Sequence, residues 1–299
     1  MLKRLWKKIA PNPLDRRLKK AARQGCNSVL IPWNRGLGDI ALGLYAIVKR
    51  VHDYLPDAKI TFITRPDLKD GFQLLKGVDV IIAPGWSRGN PTPLPTELPA
   101  FDLIISNADP SYWVAWQRGK LIPKMEWNPQ WDSFCDRFNL PPNCIAAHVH
   151  CETNYYFERN WPYHKWQELF DALDGPIILL GLKKDLVFKH PHLIDLRGDT
   201  SLLEILSLLK NKCRRLVAPD SGILGMTYFL NTPFPLRIVS LWADPNHGIL
   251  KQNVPSPNPL LEHIPVISSN HKDAALIPVA QVLQAMNLYY DRLENVNLD

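Results

Sequence analysis

The chain has 299 residues, 46% of them hydrophobic and 21% charged, which is enough apolar material for two cores of ordinary domain size. No run approaches the ~18–20 apolar residues of a membrane span, and the start, Met1-Leu2-Lys3-Arg4, lacks the apolar segment of a secretory leader. Five scattered cysteines with no CxxC pair (Cys26, Cys135, Cys144, Cys151 and Cys213) point to reduced thiols in a cytosolic setting, and away from disulfides or structural zinc.

The net charge of +6 gathers at the front, where residues 1–24 hold nine basic side chains against Asp15 alone. Leu2, Leu5, Trp6 and Ile9 fall at helical spacing between basic residues, so residues 1–25 read as a basic amphipathic arm suited to an anionic membrane surface. A basic flap packed on the body is the other reading of this arm. Nucleic acid is not expected as a partner, because aromatic-basic platforms do not recur along the chain.

Val29-Leu30-Ile31 opens a buried strand, and Asn34-Arg35-Gly36-Leu37-Gly38-Asp39 follows as a glycine turn. Ile40, Leu44, Ile47 and Val48 recur at helical spacing, which places Asp39 at the start of a helix. Strand, glycine turn and helix N-terminus open a doubly wound sheet, whose ligands bind at the carboxyl ends of its strands. Asp39 there is a candidate general base, with a plain helix cap as the alternative. Further strands are expected at Lys59–Thr64, Val78–Ala83 and Phe101–Ser106, with a helix around Leu68–Leu75. Residues 111–143 are rich in tryptophan (Trp113, Trp116, Trp127 and Trp131), and such rings are most often core. Pro141-Pro142 marks the expected boundary, giving units of 26–143 and 144–273.

The second set of strands is expected at Ile145–Val149, Ile177–Leu180, Leu216–Ala218 and Leu236–Leu241. Helices are expected around Trp166–Leu173, over Leu202–Leu209 behind Thr200 or Ser201, and from Ser221 to Leu230. A closing helix over Ala274–Tyr290, in a last segment of 274–299, would pack back on the first unit. Asp220-Ser221-Gly222, at a strand end, suits a phosphate or sugar hydroxyls, or is an ordinary cap. Arg159, ahead of Asn160-Trp161-Pro162, can pair with a phosphate. Lys183, Lys184 and Asp185 occupy the equivalent place one strand on. His148, His150 and Cys151 show no third converging ligand, so no metal is expected. His164 reads as a helix-surface residue.

Four segments in order carry a resemblance to glycosyltransferase family 9, the ADP-heptose:lipopolysaccharide heptosyltransferases. Arg35–Ile40, then Leu55-Pro56-Asp57-Ala58-Lys59-Ile60, is similar to the family's opening GD motif and second strand. Arg159-Asn160-Trp161-Pro162, Trp166–Leu169 and Ile177–Gly181 resemble its "K.WP...W.eL" segment and glycine-ended strand. Asp195-Leu196-Arg197-Gly198-Asp199-Thr200-Ser201-Leu202 resembles "DL.GkTsL", and Asp220-Ser221-Gly222 stands in the place of D-[ST]-G-x-x-H. The resemblance implies an α/β protein of GT-B architecture, with two Rossmann-like domains facing across a cleft. It also implies inverting transfer of a heptose-like sugar from a nucleotide-diphosphate donor, ADP-linked by the same resemblance, to a lipopolysaccharide-type or other saccharide acceptor at the inner membrane surface, with no further cofactor.

By that resemblance Asp39 is the general base on the acceptor hydroxyl, and Arg35, Gly36 and Gly38 form the acceptor or phosphate loop. Arg159, Lys183, Asp185, Asp220, Ser221 and Gly222 bind the donor, Arg159 in the place of the family's lysine. Backbone N–H groups near Ser221-Gly222 would steady the leaving diphosphate. The chain departs from the family at Gly225, where the family has histidine, and in the segment Trp242–Gly248, from which His247 would have to take the place of the lost group. The departure motivates an alternative: a catalytically lapsed GT-B module that binds a nucleotide sugar or a protein partner. A GT-B-fold epimerase would need further acid and base residues.

Overall fold

A computed structural model describes residues 13–88, 90, 93–106, 108, 117–152 and 158–287. The chain divides into two compact units, residues 1–117 and 118–299. The expected boundary near residue 143 is corrected by what residues 118–143 touch. Met125–Glu126 pairs in parallel with Leu230–Asn231. The 3-10 turns of Pro129–Phe138 hang on the later helix Leu202–Asn211, where Ser207 Oγ donates to the Asp132 carbonyl (2.8 Å) and accepts the Cys135 N–H (3.2 Å). Proline punctuation marked a turn inside the second unit, not its edge.

In the first unit, β1 (Ser28–Trp33), β2 (Lys59–Thr64), β3 (Val78–Ile82) and β4 (Leu103–Ile104) form a parallel sheet in the order β3-β2-β1-β4. The apolar runs that predict β1 and β2 are buried, as a parallel sheet covered on both faces requires. The short β4 is pinned by Asp102, which accepts the backbone N–H groups of Asn27 (2.9 Å) and Ser28 (3.0 Å) and the Ser28 hydroxyl (2.8 Å).

The first described helix, α1 (Pro13–Arg23), buries Leu14, Leu18 and Ala21. Arg50, on α2 (Tyr45–Tyr54), grips Asp15 with two hydrogen bonds of 2.7 Å. Residues 13–23 are thus a packed part of the first unit and not an arm, while the amphipathic stretch Leu2–Ile9 lies outside the described residues. Regular helix also begins later than the spacing predicts. Over Ile40–Leu44 the chain makes a wide, irregular turn, with Leu42 (φ −90°, ψ 38°) and Gly43 (φ 155°, ψ −45°) off helical geometry, and α2 starts only at Tyr45. The positive φ at Gly43 is open to glycine and strained for other residues. The turn of Pro66–Leu68 and α3 (Lys69–Gln73) make up the next connection.

In the second unit the strands are β5 (Met125–Glu126), β6 (Cys144–His148), β7 (Ile177–Leu180), β8 (Leu193–Asp195), β9 (Cys213–Pro219), β10 (Leu230–Asn231), β11 (Leu236–Trp242) and β12 (Leu261–Ile267). Six of them form one parallel sheet in the order β12-β11-β9-β6-β7-β8. Counted from β6, this is the doubly wound order 3-2-1-4-5-6 read from the far edge. Helices α4 (Tyr163–Asp171), α5 (Leu202–Asn211), α6 (Gly222–Tyr228) and α7 (Gly248–Gln252) fall between strands. Ser201 caps α5 in a capping box with Glu204.

The sequence reading sends the last helix back to the first unit, but α8 (Val279–Asn287) packs within the second. Its Val282 and Met286 join Trp166, Phe170, Val239 and Leu241 in one core. It also starts late, because Pro278 separates it from the turn at Ala274–Leu276. Trp127 and Trp131 are half-buried and packed edge-to-face, 5.3 Å between centroids, instead of lying in the core. Trp113 and Trp116 lie outside the described residues.

Candidate functional site

In the first unit, the loop leaving β1 is held from behind by residues of the next strand end. Arg65, immediately after β2 and 4% exposed, forks onto Asp67 (2.8 and 2.9 Å) and extends Nη1 to the carbonyl and side-chain oxygens of Asn34 (both 3.3 Å). The Asn34 amide donates to the carbonyls of Ser87 (2.9 Å) and Asn90 (3.2 Å). Arg35 lies over the Trp33 ring, 5.9 Å from its centroid. The Gly36 N–H donates to Asp39 Oδ2 (3.1 Å), and a Cβ on Gly36 would stand 3.1 Å from that same oxygen. The Gly38 carbonyl accepts from Leu42 N–H (3.0 Å).

Asp39 therefore does not cap a helix with its side chain. Its carboxylate turns back over the glycine turn, half-buried at the carboxyl end of β1. Arg65 escaped the sequence reading. Its one signal was its place directly after a predicted strand, next to a proline.

In the second unit, the direction of winding reverses between β6 and β9, and open parallel sheets bind ligands at such a point. Cys151 and Arg159 follow β6, Asp220 and Ser221 follow β9, and Asp244, His247 and Gly248 follow β11. Arg159, 5% exposed, donates through Nη2 to the Asp220 carbonyl and to Cys151 Sγ, and its Nη1 lies 4.0 Å from Asp220 Oδ2. The Cys151 thiol in turn reaches the Asp220 carbonyl (3.4 Å). Burial pushes the Asp220 carboxyl above its ordinary range, against the pull of Arg159 and His247 and with the push of Asp244. Ser221 Oγ accepts the Leu224 N–H (3.2 Å), so this hydroxyl is the cap of α6.

His247 Nε2 lies 3.3 Å from Asp244 Oδ2. Gly248, at φ +47°, is wedged so closely that a Cβ would come to 2.3 Å from Asp220 Oδ1 and 2.8 Å from the Trp242 ring. Gly225 is the opposite case: it is buried in α6, yet a Cβ there would meet nothing within 4 Å. His148, behind this corner, is buried, and desolvation followed by the charges of His150 and Arg159 lowers its pKa to about 4.

The structure thus brings Arg159, Asp220 and Ser221 together and adds Asp244 and Gly248, which the sequence reading did not single out. Lys183 pairs with Glu152 (3.2 Å), Lys184 bonds Asp199 (2.5 Å), and Asp185 is exposed beside them. Among the described residues, neither Lys183 nor Asp185 makes a hydrogen bond or ion pair with Asp220. No group of three or more His, Cys, Asp or Glu among the described residues could hold a metal ion.

Two units, each built on a parallel sheet with helices between its strands, define an α/β fold. The fold is that of solved family 9 glycosyltransferases. A glycosyltransferase family 9 structure from Veillonella parvula is similar over 87% of this chain and 96% of its own, with a TM-score of 0.56 at 14% identity. Heptosyltransferase WaaC of E. coli, solved with ADP, is similar over 89% of this chain and 98% of its own (TM-score 0.51, 12% identity). The iron-containing dodecameric glycosyltransferase TibC from enterotoxigenic E. coli is similar over 90% and 77% (TM-score 0.52, 13% identity). No protein-family model matches the chain, and no curated protein sequence matches it significantly.

Proposed function

We propose that this protein is an inverting glycosyltransferase of GT-B architecture. It would move a heptose-like sugar from a nucleotide-diphosphate donor, whose nucleotide would be ADP like that held by WaaC, to a saccharide or glycolipid acceptor. The observation that carries this reading is the coincidence of fold and motif: in a fold shared with family 9 glycosyltransferases, the motif residues stand at the carboxyl ends of parallel strands. Asp39 is the general base. It is a carboxylate on a braced glycine turn, oriented by the Gly36 N–H and not used as a cap.

Asp220, Ser221 and Gly222 form the sugar and diphosphate end of the donor site, with Arg159 as the support that fixes the Asp220 turn. Lys183 and Asp185, on the exposed loop after β7, reach the nucleoside. Basic residues of the N-terminal segment hold the protein at an anionic membrane surface. No helix among the described residues is long and apolar enough to cross one.

The test is a thermal-shift screen against ADP, UDP, GDP and their sugar conjugates, followed by a transfer assay. A ligand bound only by the folded state raises the melting temperature by mass action, about 2.7 kcal/mol of stabilisation at a hundredfold excess over Kd. Asp39→Asn should abolish transfer and leave the donor-induced shift intact. Equal loss of both would make Asp39 structural.

The second reading, a lapsed module, is favoured by two features. Arg159 is buried and bonded to the Asp220 carbonyl and Cys151, and Gly225 offers no side chain. A donor-induced shift with neither transfer nor hydrolysis would establish that reading.

A further inference from the structure

The loops at the carboxyl ends of β1, β2 and β3 meet at one side chain, Asn34. Its amide nitrogen donates to the loop after β3, at the carbonyls of Ser87 (2.9 Å) and Asn90 (3.2 Å). Its side-chain oxygen and its own carbonyl both accept from Arg65 Nη1, just past β2 (3.3 Å each). Both ends of the amide are therefore matched. A flipped amide would set its oxygen against two carbonyls and its N–H groups against a guanidinium.

Each arm of this junction is itself anchored. Arg65 forks onto Asp67 through Nε (2.8 Å) and Nη2 (2.9 Å), which leaves Nη1 for Asn34. One residue earlier, Thr64 Oγ1 donates to the Trp33 carbonyl (2.8 Å), so the end of β2 holds two successive carbonyls of the chain leaving β1. The loop after β3 is fixed by Trp86, which packs with Leu30, Ile63 and Ala83 and donates to the Pro93 carbonyl (3.2 Å).

From Asn34 the chain runs through Arg35 into the glycine turn, where the Gly36 N–H meets Asp39 Oδ2 (3.1 Å). A turn built on two glycines has little stiffness of its own. Its direction is set where it enters, at Asn34.

The geometry points to Arg65 as a positioning residue, which acts through Asn34 to hold the glycine turn that carries Asp39. This assignment rests on the reading of Asp39 as general base and adds the groups that keep it in place. A reacting group misplaced by about 1 Å loses on the order of a hundredfold in rate. The clamp should therefore govern turnover and not donor binding, whose proposed residues belong to the other unit.

The experiment compares the wild-type protein with Arg65→Gln, Arg65→Lys, Asn34→Ala and the double variant of Arg65→Gln with Asn34→Ala. One readout is nucleotide release from ADP-heptose and from ADP-, UDP- and GDP-glucose. In that reaction water is the acceptor: its oxygen bonds to the anomeric carbon, its proton passes to Asp39, and the bond to the diphosphate breaks. The other readout is hydrogen exchange over residues 34–39, followed by mass spectrometry.

Arg65→Gln should lower kcat about 10–100-fold and leave KM within about twofold. Exchange over residues 34–39 should quicken about tenfold, the scale of one lost hydrogen bond, with exchange in the second unit unchanged. Lysine keeps the charge but cannot fork onto Asp67 and reach Asn34 at once, so Arg65→Lys should recover only part of the rate. The double variant should lose little more than either single one, because both act on the same contact. The Asp67 side chain is 62% exposed, so loss of Arg65 leaves no buried charge behind. Asp67→Asn loosens the same clamp from the surface and should lower kcat in the same direction.

Unchanged exchange over 34–39 in Arg65→Gln would overturn the assignment, as would additive losses in the double variant. A rise in KM to match the fall in kcat, with a lower melting temperature, would make Arg65 merely structural. Wild-type protein that releases nucleotide from none of the conjugates would strike at the glycosyltransferase reading, and at this assignment with it. Turnover by the wild type that Arg65→Gln leaves unchanged would strike at Arg65 alone.

Discussion

Two glycines at the second strand-end cluster separate what backbone freedom does from what empty space does. Gly248 combines a positive φ (+47°) with contacts that leave no room for a Cβ, at 2.3 Å from Asp220 Oδ1 and 2.8 Å from Trp242. Gly248→Ala must therefore either displace the Asp220 carboxylate or strain the loop. We expect a loss of about 1–3 kcal/mol in denaturant unfolding, together with loss of the donor-induced thermal shift. Gly225 sits in a helix without a positive φ and with space around it, so Gly225→Ala should gain about 0.5–1 kcal/mol through reduced freedom of the unfolded chain. A loss at 225, or no effect at 248, would contradict the packing described. The same two positions show how site chemistry can hide in a sequence. Neither the crowding around Gly248 nor the open space at Gly225 leaves a mark in the local sequence.

At the scale of elements, the strands inside the second unit's sheet were legible and its two edge strands were not, while in the first unit the edge strands β3 and β4 were legible as well. The continuous apolar runs of β1, β2, β6, β7 and β11 follow from burial on both faces. By contrast β8 has only three residues, and β12, Leu261–Ile267, interrupts its apolar positions with Glu262, His263 and Pro265 because one flank is open. The late start of α2 depends on a dihedral at Gly43, and the unit boundary depends on tertiary pairing of residues 118–143, neither of which leaves a local pattern. The strand-end residues Asp39, Asp220 and Ser221 were legible because loop chemistry is local. The inward commitment of Arg65 and Arg159 was not.

α1 has a testable consequence. It buries Leu14, Leu18 and Ala21 while Arg16, Arg17, Lys19, Lys20 and Arg23 stay exposed. Deleting residues 1–24 would remove core contacts and the Asp15–Arg50 pair, confusing membrane binding with stability. Leu18→Ala should cost about 2–5 kcal/mol. Replacing Arg16, Lys19, Lys20 and Arg23 by glutamine should leave stability nearly unchanged but weaken sedimentation with anionic vesicles at least about tenfold, since each basic residue near such a surface contributes about 1 kcal/mol. Undiminished sedimentation would place membrane attachment elsewhere or remove it.

For the whole molecule, the response to acid follows from groups buried in the second unit. His148 and His263 both have pKa values lowered from 6.5 to about 4, chiefly by desolvation, so each is neutral in the folded protein when its unfolded counterpart takes up a proton. The unfolded chain binds more protons between these values, so stability is fully present above pH ~6.5 and falls as the pH drops toward ~4. Each ring then contributes about 3 kcal/mol across the window, with a slope near 1.4 kcal/mol per pH unit in its middle. Asp220 works the other way: its raised carboxyl costs stability as pH rises through the ordinary aspartate range, and acidification relieves that cost. The carboxylates of Asp132, Asp195 and Glu204, lowered by their partners, add a further loss at the acid end. Denaturant titrations from pH 7 to pH 4 should therefore show a steep decline beginning near pH 6.5, before any carboxylate titrates in the unfolded chain. His148→Gln should flatten that decline by roughly half. A decline that begins only below pH ~5, or one that His148→Gln leaves unchanged, would mean that these imidazoles take up protons in the folded state and are hydrated there.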